Sequence, residues 1–196
     1  MSAAAPSIKS QPVYHALEWD AAGVGHLLFV AADDPPVLDR LLATPPVGTL
    51  SIVVADDAAA ERLRAAGQAA QTTVAVGLDA ALAALESRLQ TSVMGLRLYL
   101  VGPEDAIWQA AGIATRHGMS SAEMRLFQTG TKARPVFCVH CRAMTRGVRT
   151  NLVDCSGCGR TLFVRDHFSR RLGAYMGFQV DAEAPGLKPP VEVSYP

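Results

Sequence analysis

No run of this sequence reaches the roughly 18–20 consecutive apolar residues that a membrane-spanning helix needs, so no membrane partner is expected. The phosphate-cradling signatures are missing too: there is no G-x-G-x-x-G turn and no P-loop. No G-x-S-x-G elbow presents a serine nucleophile. Aromatic residues make up only 6%, which leaves little surface for stacking nucleic-acid bases. The opening MSAAAPSIKSQP has neither the basic start nor the apolar core of a secretory signal. Cysteine is confined to four residues. Without an export signal these thiols are expected to stay reduced, which points to a cytoplasmic protein.

What the chain does have is a particular arrangement of those four cysteines. Cys138–Val–His–Cys141 and Cys155–Ser–Gly–Cys158 are two Cys-x-x-Cys knuckles with thirteen residues between them. One knuckle delivers two sulfurs to one side of an ion, and two knuckles close a tetrahedral shell. Four protein thiolates leave no open coordination position, so a structural zinc is expected, not a hydrolytic one. The same donors suit a rubredoxin-like iron, and two disulfides are the metal-free alternative. His140 lies inside the first knuckle, but four thiolates already fill the shell.

Formal charge is zero overall but unevenly spread. Residues 1–130 carry 8 Lys/Arg against 13 Asp/Glu, whereas residues 131–177 carry 9 against 2. A mildly acidic body therefore bears a basic C-terminal segment. The division expected is an N-terminal arm over 1–25, an α/β domain over 26–130, a ribbon and following arm over 131–180, and an extended Pro-rich tail over 181–196. Val13–Glu18 reads as a short strand or an ordered arm.

Alternation of strand and helix begins at His26. The apolar runs HLLFVA (26–31), LSIVVA (50–55), the shorter 72–76, LRLYLV (96–101) and 124–128 read as buried strands. Between them lie helices opened by Asp33–Asp34–Pro35–Pro36, Asp56–Asp57 and Gly102–Pro103–Glu104–Asp105, with a leucine stripe at 78, 82, 85 and 89. This order predicts a five-stranded parallel sheet covered by helices on both faces. Ligands of such sheets sit at the carboxyl ends of the strands. There the Gly102–Pro103–Glu104 turn is a candidate anion or cofactor contact, or simply a helix start. The first turn, Ala31–Pro35, lacks the glycine a pyrophosphate requires and carries two aspartates that would repel one. The carboxylate pairs at 33–34, 56–57 and 104–105 read as helix caps, and His26 and His117 as solvent-facing or strand-edge residues.

In the C-terminal part, Thr129–Arg134 reads as a polar linker, and 135–137, 142–153 and 161–165 as ribbon strands. Asp166–Met176 reads as a short helix or ordered arm. Within it His167, Phe168, Arg170, Arg171 and Tyr175 combine the arginines and aromatics enriched at binding hot spots. They are the candidate partner contacts, with a solvated helix face as the alternative.

The stretch LRLYLVGPEDAIWQAAGIATRHGMSSAEMRLFQTG resembles the last strand–helix–strand of the pyridine-nucleotide lobe of ferredoxin reductase-like flavoproteins, including siderophore-interacting reductases. Val101–Gly102–Pro103 keeps the Gly-Pro of that family's turn and lacks its Cys. More narrowly, CSGCGRTLFVRDHFSRRLGAYMG resembles the carboxyl end of the small subunit of bacterial dimethylamine monooxygenase, the heme-dependent oxidative N-demethylase system. That resemblance implies a multi-subunit enzyme oxidising dimethylamine to methylamine and formaldehyde with oxygen and NAD(P)H. One partner subunit would hold heme, and a flavin and iron–sulfur reductase would supply electrons. The present chain, without a flavin barrel or a glycine-rich turn, is expected to be its non-catalytic assembly or docking subunit. Two other readings are a zinc-ribbon nucleic-acid-binding protein, with salt-sensitive affinity, and a free-standing nucleotide-dependent oxidoreductase using Gly102–Glu104.

Overall fold

In the computed structural model, residues 10–196 are described. They form two compact units: Tyr14–Thr131, and Lys132–Pro196 together with the stretch that ends at Val13. Of the arm expected over 1–25, residues 1–9 lie outside the described residues.

The first unit follows the alternation of the sequence. Its elements are β1 (Gly25–Val30), α1 (Pro35–Ala43), β2 (Thr49–Val54), α2 (Asp57–Ala65), β3 (Thr72–Val74), α3 (Leu78–Gln90), β4 (Leu96–Gly102), α4 (Glu104–Arg116) and β5 (Met124–Gln128). All strand pairs are parallel, in the order β3-β2-β1-β4-β5. Alternate strand residues supply two cores. Leu27, Phe29, Val53, Leu98 and Leu100 meet α3 and α4 on one face. Leu28, Val30, Ile52, Val54, Tyr99 and Val101 meet α1 and α2 on the other. Burial on both faces is why these strands read as unbroken apolar runs.

The helix starts show which carboxylates cap. Asp34 accepts from the Val37 amide at 3.1 Å and Asp56 from the Ala59 amide at 2.9 Å. Asp33 instead pairs with Arg62 (3.0 Å), and α4 has Pro103 at its N-cap with no side-chain cap bond, so capping falls to Asp34 and Asp56 and to neither acid of the 104–105 pair. No strand forms over 13–18. The segment is held by its side chains: Leu17 is buried and its carbonyl accepts from Arg40 at 3.2 Å.

His26 is a correction. It is 2% exposed, because Tyr99 and Val47 give its ring two partners at 3.0 and 3.2 Å. The Val47 carbonyl can only accept, so Nε2 donates to it, and in the neutral ring Nδ1 accepts from the Tyr99 hydroxyl. That hydroxyl accepts in turn from the Asp20 amide at 2.9 Å. Burial pushes the Tyr99 phenol up from its ordinary range, with the Asp20 amide opposing. His117 lies on the outside, 3.1 Å from Glu86.

The second unit is a mixed five-stranded sheet, ordered β7-β6-β10-β9-β8. Its strands are β6 (Arg134–Cys138), β7 (Met144–Val148), β8 (Leu152–Asp154), β9 (Thr161–Ser169) and β10 (Ala174–Gln179). The short helix or arm expected at 166–176 is thus a β-hairpin. The alternation Leu162, Val164 inward and Phe163, Arg165 outward carries β9 through to Ser169. A turn to Gly173 (φ +61°) then returns the chain as β10. β10 pairs antiparallel with β9 and parallel with β6.

Arg134, expected in a polar linker, opens β6 and is 9% exposed. Its guanidinium lies between the Tyr175 and Tyr195 rings, 3.9 and 3.8 Å from their centroids, and donates to Asp166 at 2.7 Å. Two aromatic faces and a carboxylate replace the water that an arginine would otherwise keep. The tail is tied down along its way: Thr150 bridges Val193, and the Lys132 amide donates to the Pro196 carbonyl at 2.7 Å.

Candidate metal centre

The four cysteines reach one place by two copies of the same turn. In the first knuckle the Arg142 amide donates to the Cys138 carbonyl (2.9 Å) and the Cys138 amide to the Ala143 carbonyl (2.9 Å). In the second the Gly159 amide donates to the Cys155 carbonyl (3.0 Å) and the Cys155 amide to the Arg160 carbonyl (2.9 Å). The residue after the second cysteine is left-handed in both: φ is +66° at Arg142 and +70° at Gly159. Arg142 is the sole non-glycine residue with positive φ among the described residues. A side chain in that region costs about 1 kcal/mol relative to glycine. Arg142→Gly is therefore expected to stabilise the ribbon by about 1 kcal/mol, read as a higher denaturation midpoint at unchanged metal content.

The four sulfurs all lie within 4.8 Å of one another. Cys138 Sγ is 3.8 Å from Cys158 Sγ, and Cys141 Sγ is 3.5 Å from Cys155 Sγ. A tetrahedron with metal–sulfur bonds of about 2.3 Å has edges of about 3.8 Å, so the spacing fits one ion. It is too long for a disulfide, whose sulfurs sit about 2.05 Å apart, and all four cysteines are free. His140 is exposed and outside the cluster.

Local donors favour thiolates. The backbone and side chain of Arg160 bring the Cys158 thiol down to about 6. Cys155 is lowered as well: burial opposes ionisation there, but the Cys158 and Gly157 amides outweigh it. At Cys141 the Ala143 amide pulls downward, yet burial and the neighbouring thiols push the group up to about 11. Four thiols this close share their protons, and only a cation lets all four ionise together.

At the carboxyl edge of the parallel sheet, Gly102 ends β4 with φ +151°, and a Cβ there would lie 2.7 Å from the Ala31 Cβ. Pro103 and Glu104 begin α4. Glu104 is 4% exposed and accepts from the Tyr14 hydroxyl at 2.6 Å, while Trp108 donates to the same hydroxyl at 2.9 Å. Asp34 also accepts from the Thr129 hydroxyl at 2.7 Å. The edge is thus furnished with the chain's own carboxylates, and the first amides of α1 and α2 are already engaged. Sequence reasoning missed Tyr14 and Trp108, which lie 90 and 4 positions from Glu104 and carry no motif.

The hot-spot tract is divided by the hairpin. Phe168 and Tyr175 are 5% and 3% exposed and meet edge-to-face, 5.0 Å between centroids. They belong to the ribbon's interior and offer no ring to a partner. His167, Arg170 and Arg171 are exposed.

Comparison with known proteins matches both parts of the chain. Residues 6–124 match the family described as dimethylamine monooxygenase subunit DmmA-like, N-terminal domain, and residues 135–178 its C-terminal domain. Over 107 residues the chain is 37% identical to the heme-dependent oxidative N-demethylase delta subunit of Ectopseudomonas mendocina (strain ymp). That alignment covers 54% of this chain and 61% of the relative. Among solved structures, phthalate dioxygenase reductase is similar with a TM-score of 0.44 and 10% identity, covering 66% of this chain and 45% of that one. A type IV self-sufficient cytochrome P450 monooxygenase is similar with a TM-score of 0.43 and 18% identity, covering 66% and 19%. Among the described residues no helix is long and apolar enough to cross a membrane.

Proposed function

Because this chain belongs to the dimethylamine monooxygenase subunit DmmA-like family, we propose that it is an accessory subunit of a multi-subunit, NAD(P)H- and oxygen-dependent N-demethylase. Dimethylamine is the proposed substrate of the assembly, with methylamine and formaldehyde as products. Heme sits on one partner subunit, and flavin and iron–sulfur centres on a reductase partner. The observation that carries this reading is the likeness to an N-demethylase delta subunit.

Within the assembly this chain transfers no hydride itself. The carboxyl edge of its sheet is the place a nicotinamide cofactor would take, and the side chains of Asp34, Asp56 and Glu104 line it with oxygens already engaged by the chain's own donors. Gly102, Pro103 and Glu104 then act as a packing turn: Gly102 admits Ala31, and Glu104 holds Tyr14.

Cys138, Cys141, Cys155 and Cys158 hold one zinc ion, with iron as the metal of the same geometry. The ion supplies a fixed cross-link and no open position for substrate. Its four ligands join the β6–β7 turn to the β8–β9 turn, so its binding free energy is folding free energy for the ribbon. Arg160 favours the Cys158 thiolate, and a ligand with a low pKa resists proton competition to lower pH. Arg160→Ala removes part of that support, so Cys158 rises from about 6 toward its ordinary value. Acid-induced metal release is then expected to begin at higher pH than in the wild type, measured with a chromophoric chelator.

Co-expression with the heme-bearing and reductase subunits, followed by size exclusion, tests the subunit assignment. Co-elution is expected. Elution of this chain by itself at low salt would remove the assignment.

A further inference from the structure

The outward face of the ribbon sheet carries a row of large apolar side chains, of which Leu152, opposite Phe163, is buried and the rest are not. Residues paired across a sheet share a face. Phe163 on β9 pairs with Phe178 on β10, Met176 on β10 with Phe137 on β6, and Phe137 with Met144 on β7. Phe178 and Met176 are two apart on one strand, so these five side chains lie on one face. The other face holds Val136, Leu162, Val164 and Tyr175, all 3% exposed or less. Phe163 and Phe178 remain 38% and 40% exposed, and Phe137, Met144 and Met176 are half-buried. Two aromatic rings thus stand side by side with more than a third of each in water.

An unpaired cation stands beside these rings. The Arg165 guanidinium stands 5.3 Å from the Phe178 ring centroid. Among the described residues no carboxylate pairs with Arg165, Arg170 or Arg171. Residues 131–177 hold 9 Lys/Arg against 2 Asp/Glu. Of those two acids, Asp166 is taken by Arg134, while Asp154, opposite Thr161 on the Phe163 face, accepts from the Thr161 hydroxyl; residues 178–196 add Lys188 against Asp181, Glu183 and Glu192.

We infer that the Phe163–Phe178 face is where the ribbon docks on a partner protein whose contact patch is apolar and rimmed by carboxylates. Phe, Met and Arg are the residue types enriched at the centres of protein interfaces, and the unmatched Arg165 beside the rings steers an acidic partner into register. A second copy meeting the same face would bring two cationic ribbons together. Single-stranded nucleic acid would use the phenylalanine rings but not Met176 or Met144, since methionine offers no stacking plane.

This surface rests on the subunit assignment above, and the experiment separates the two. The full chain is purified with zinc and bound to the immobilised heme-bearing and reductase subunits. Phe163→Ala/Phe178→Ala is expected to keep its metal content and melting temperature and to raise Kd at least about 30-fold. Arg165→Glu is expected to slow association about tenfold and to flatten its salt dependence. If the double variant loses metal or melts early, Arg165→Glu decides the question, because that side chain lies outside the ribbon core. A wild type that binds, with either folded variant binding equally well, overturns the surface and leaves the subunit assignment standing. A wild type that binds neither subunit overturns both. A concentration-dependent dimer in sedimentation, or retention of a single-stranded DNA oligonucleotide, that the double variant abolishes also overturns the docking proposal.

Discussion

Cys155→Ser is expected to cost the chain its metal and the fold of its ribbon together. Cys155 is 4% exposed and is one of the four sulfurs within 4.8 Å of one another. A serine there supplies a hydroxyl that coordinates far more weakly than a thiolate and leaves three thiolates facing one another. Structural zinc contributes on the order of 10–16 kcal/mol of apparent binding free energy in small metal-dependent folds, as much as the roughly 5–15 kcal/mol that holds a typical domain. The cross-link it replaces would otherwise have to be made by a thin core, chiefly Val136, Leu162, Val164, Phe168 and Tyr175. The expected result is a metal-to-protein ratio near zero by elemental analysis and rapid proteolysis between residues 132 and 180. The α/β unit should keep its own melting transition, because both of its core clusters are built from residues 14–131. A strong chelator applied to the wild type should give the same pattern. Stoichiometric metal and a protease-resistant ribbon in Cys155→Ser would show that three sulfurs suffice and that the ion is not what closes the unit.

The second large effect is expected at Gly102. Its backbone angle, φ +151°, is one that side-chain-bearing residues rarely adopt, and an added Cβ would meet the Ala31 Cβ at 2.7 Å and its Cα at 3.3 Å. Neither neighbour can swing away, since Ala31 follows β1 directly and its amide donates to the Val101 carbonyl at 2.8 Å. Overpacking of this kind costs about 1–3 kcal/mol, and backbone strain adds to it. Gly102→Ala is expected to lower the melting temperature of the α/β unit by roughly 5–10 °C, with the metal content unchanged. The opposite outcome, an unaltered melt together with loss of binding to NAD(P)H, would mean that Gly102 keeps room for a cofactor and not for Ala31. That would reverse the assignment of this edge as a packing turn.

These two sites differ in how far they could be read beforehand. The cysteines carry their meaning locally: the two-residue gap sets the bite of each knuckle, and the turn that follows needs only its own six residues. The parallel sheet was legible for a similar reason. Strands buried on both faces must be apolar at every position, and Leu27 to Val30 and Leu98 to Val101 are. Asp34 and Asp56 could be assigned as caps because a cap bonds within three residues. At Gly102 the Gly-Pro pair was visible, but the neighbour that crowds it, Ala31, follows a different strand.

The misreadings concern residues whose partners are distant in sequence. DHFSRRLGAYM has no period strong enough to separate a helix from a hairpin. What selects the hairpin is the pairing of β10 with β6, some forty positions earlier. Phe168 and Tyr175 therefore looked like surface contacts and became core, while Phe163 and Phe178, outside the tract that drew notice, became the exposed pair.

By itself, then, the sequence determined the class of the α/β unit, the helix starts at Asp34 and Asp56, and the four residues competent to share a metal. Each of these follows from a preference expressed within one turn or one strand. Tertiary structure alone decided that His26 and Arg134 are buried and which face of the ribbon stays open. A polar side chain can leave water only when partners enclose it, and Arg134 draws its own from Asp166, Tyr175 and Tyr195, 32 to 61 positions away. No local pattern records that meeting, because it exists only once the strands have paired.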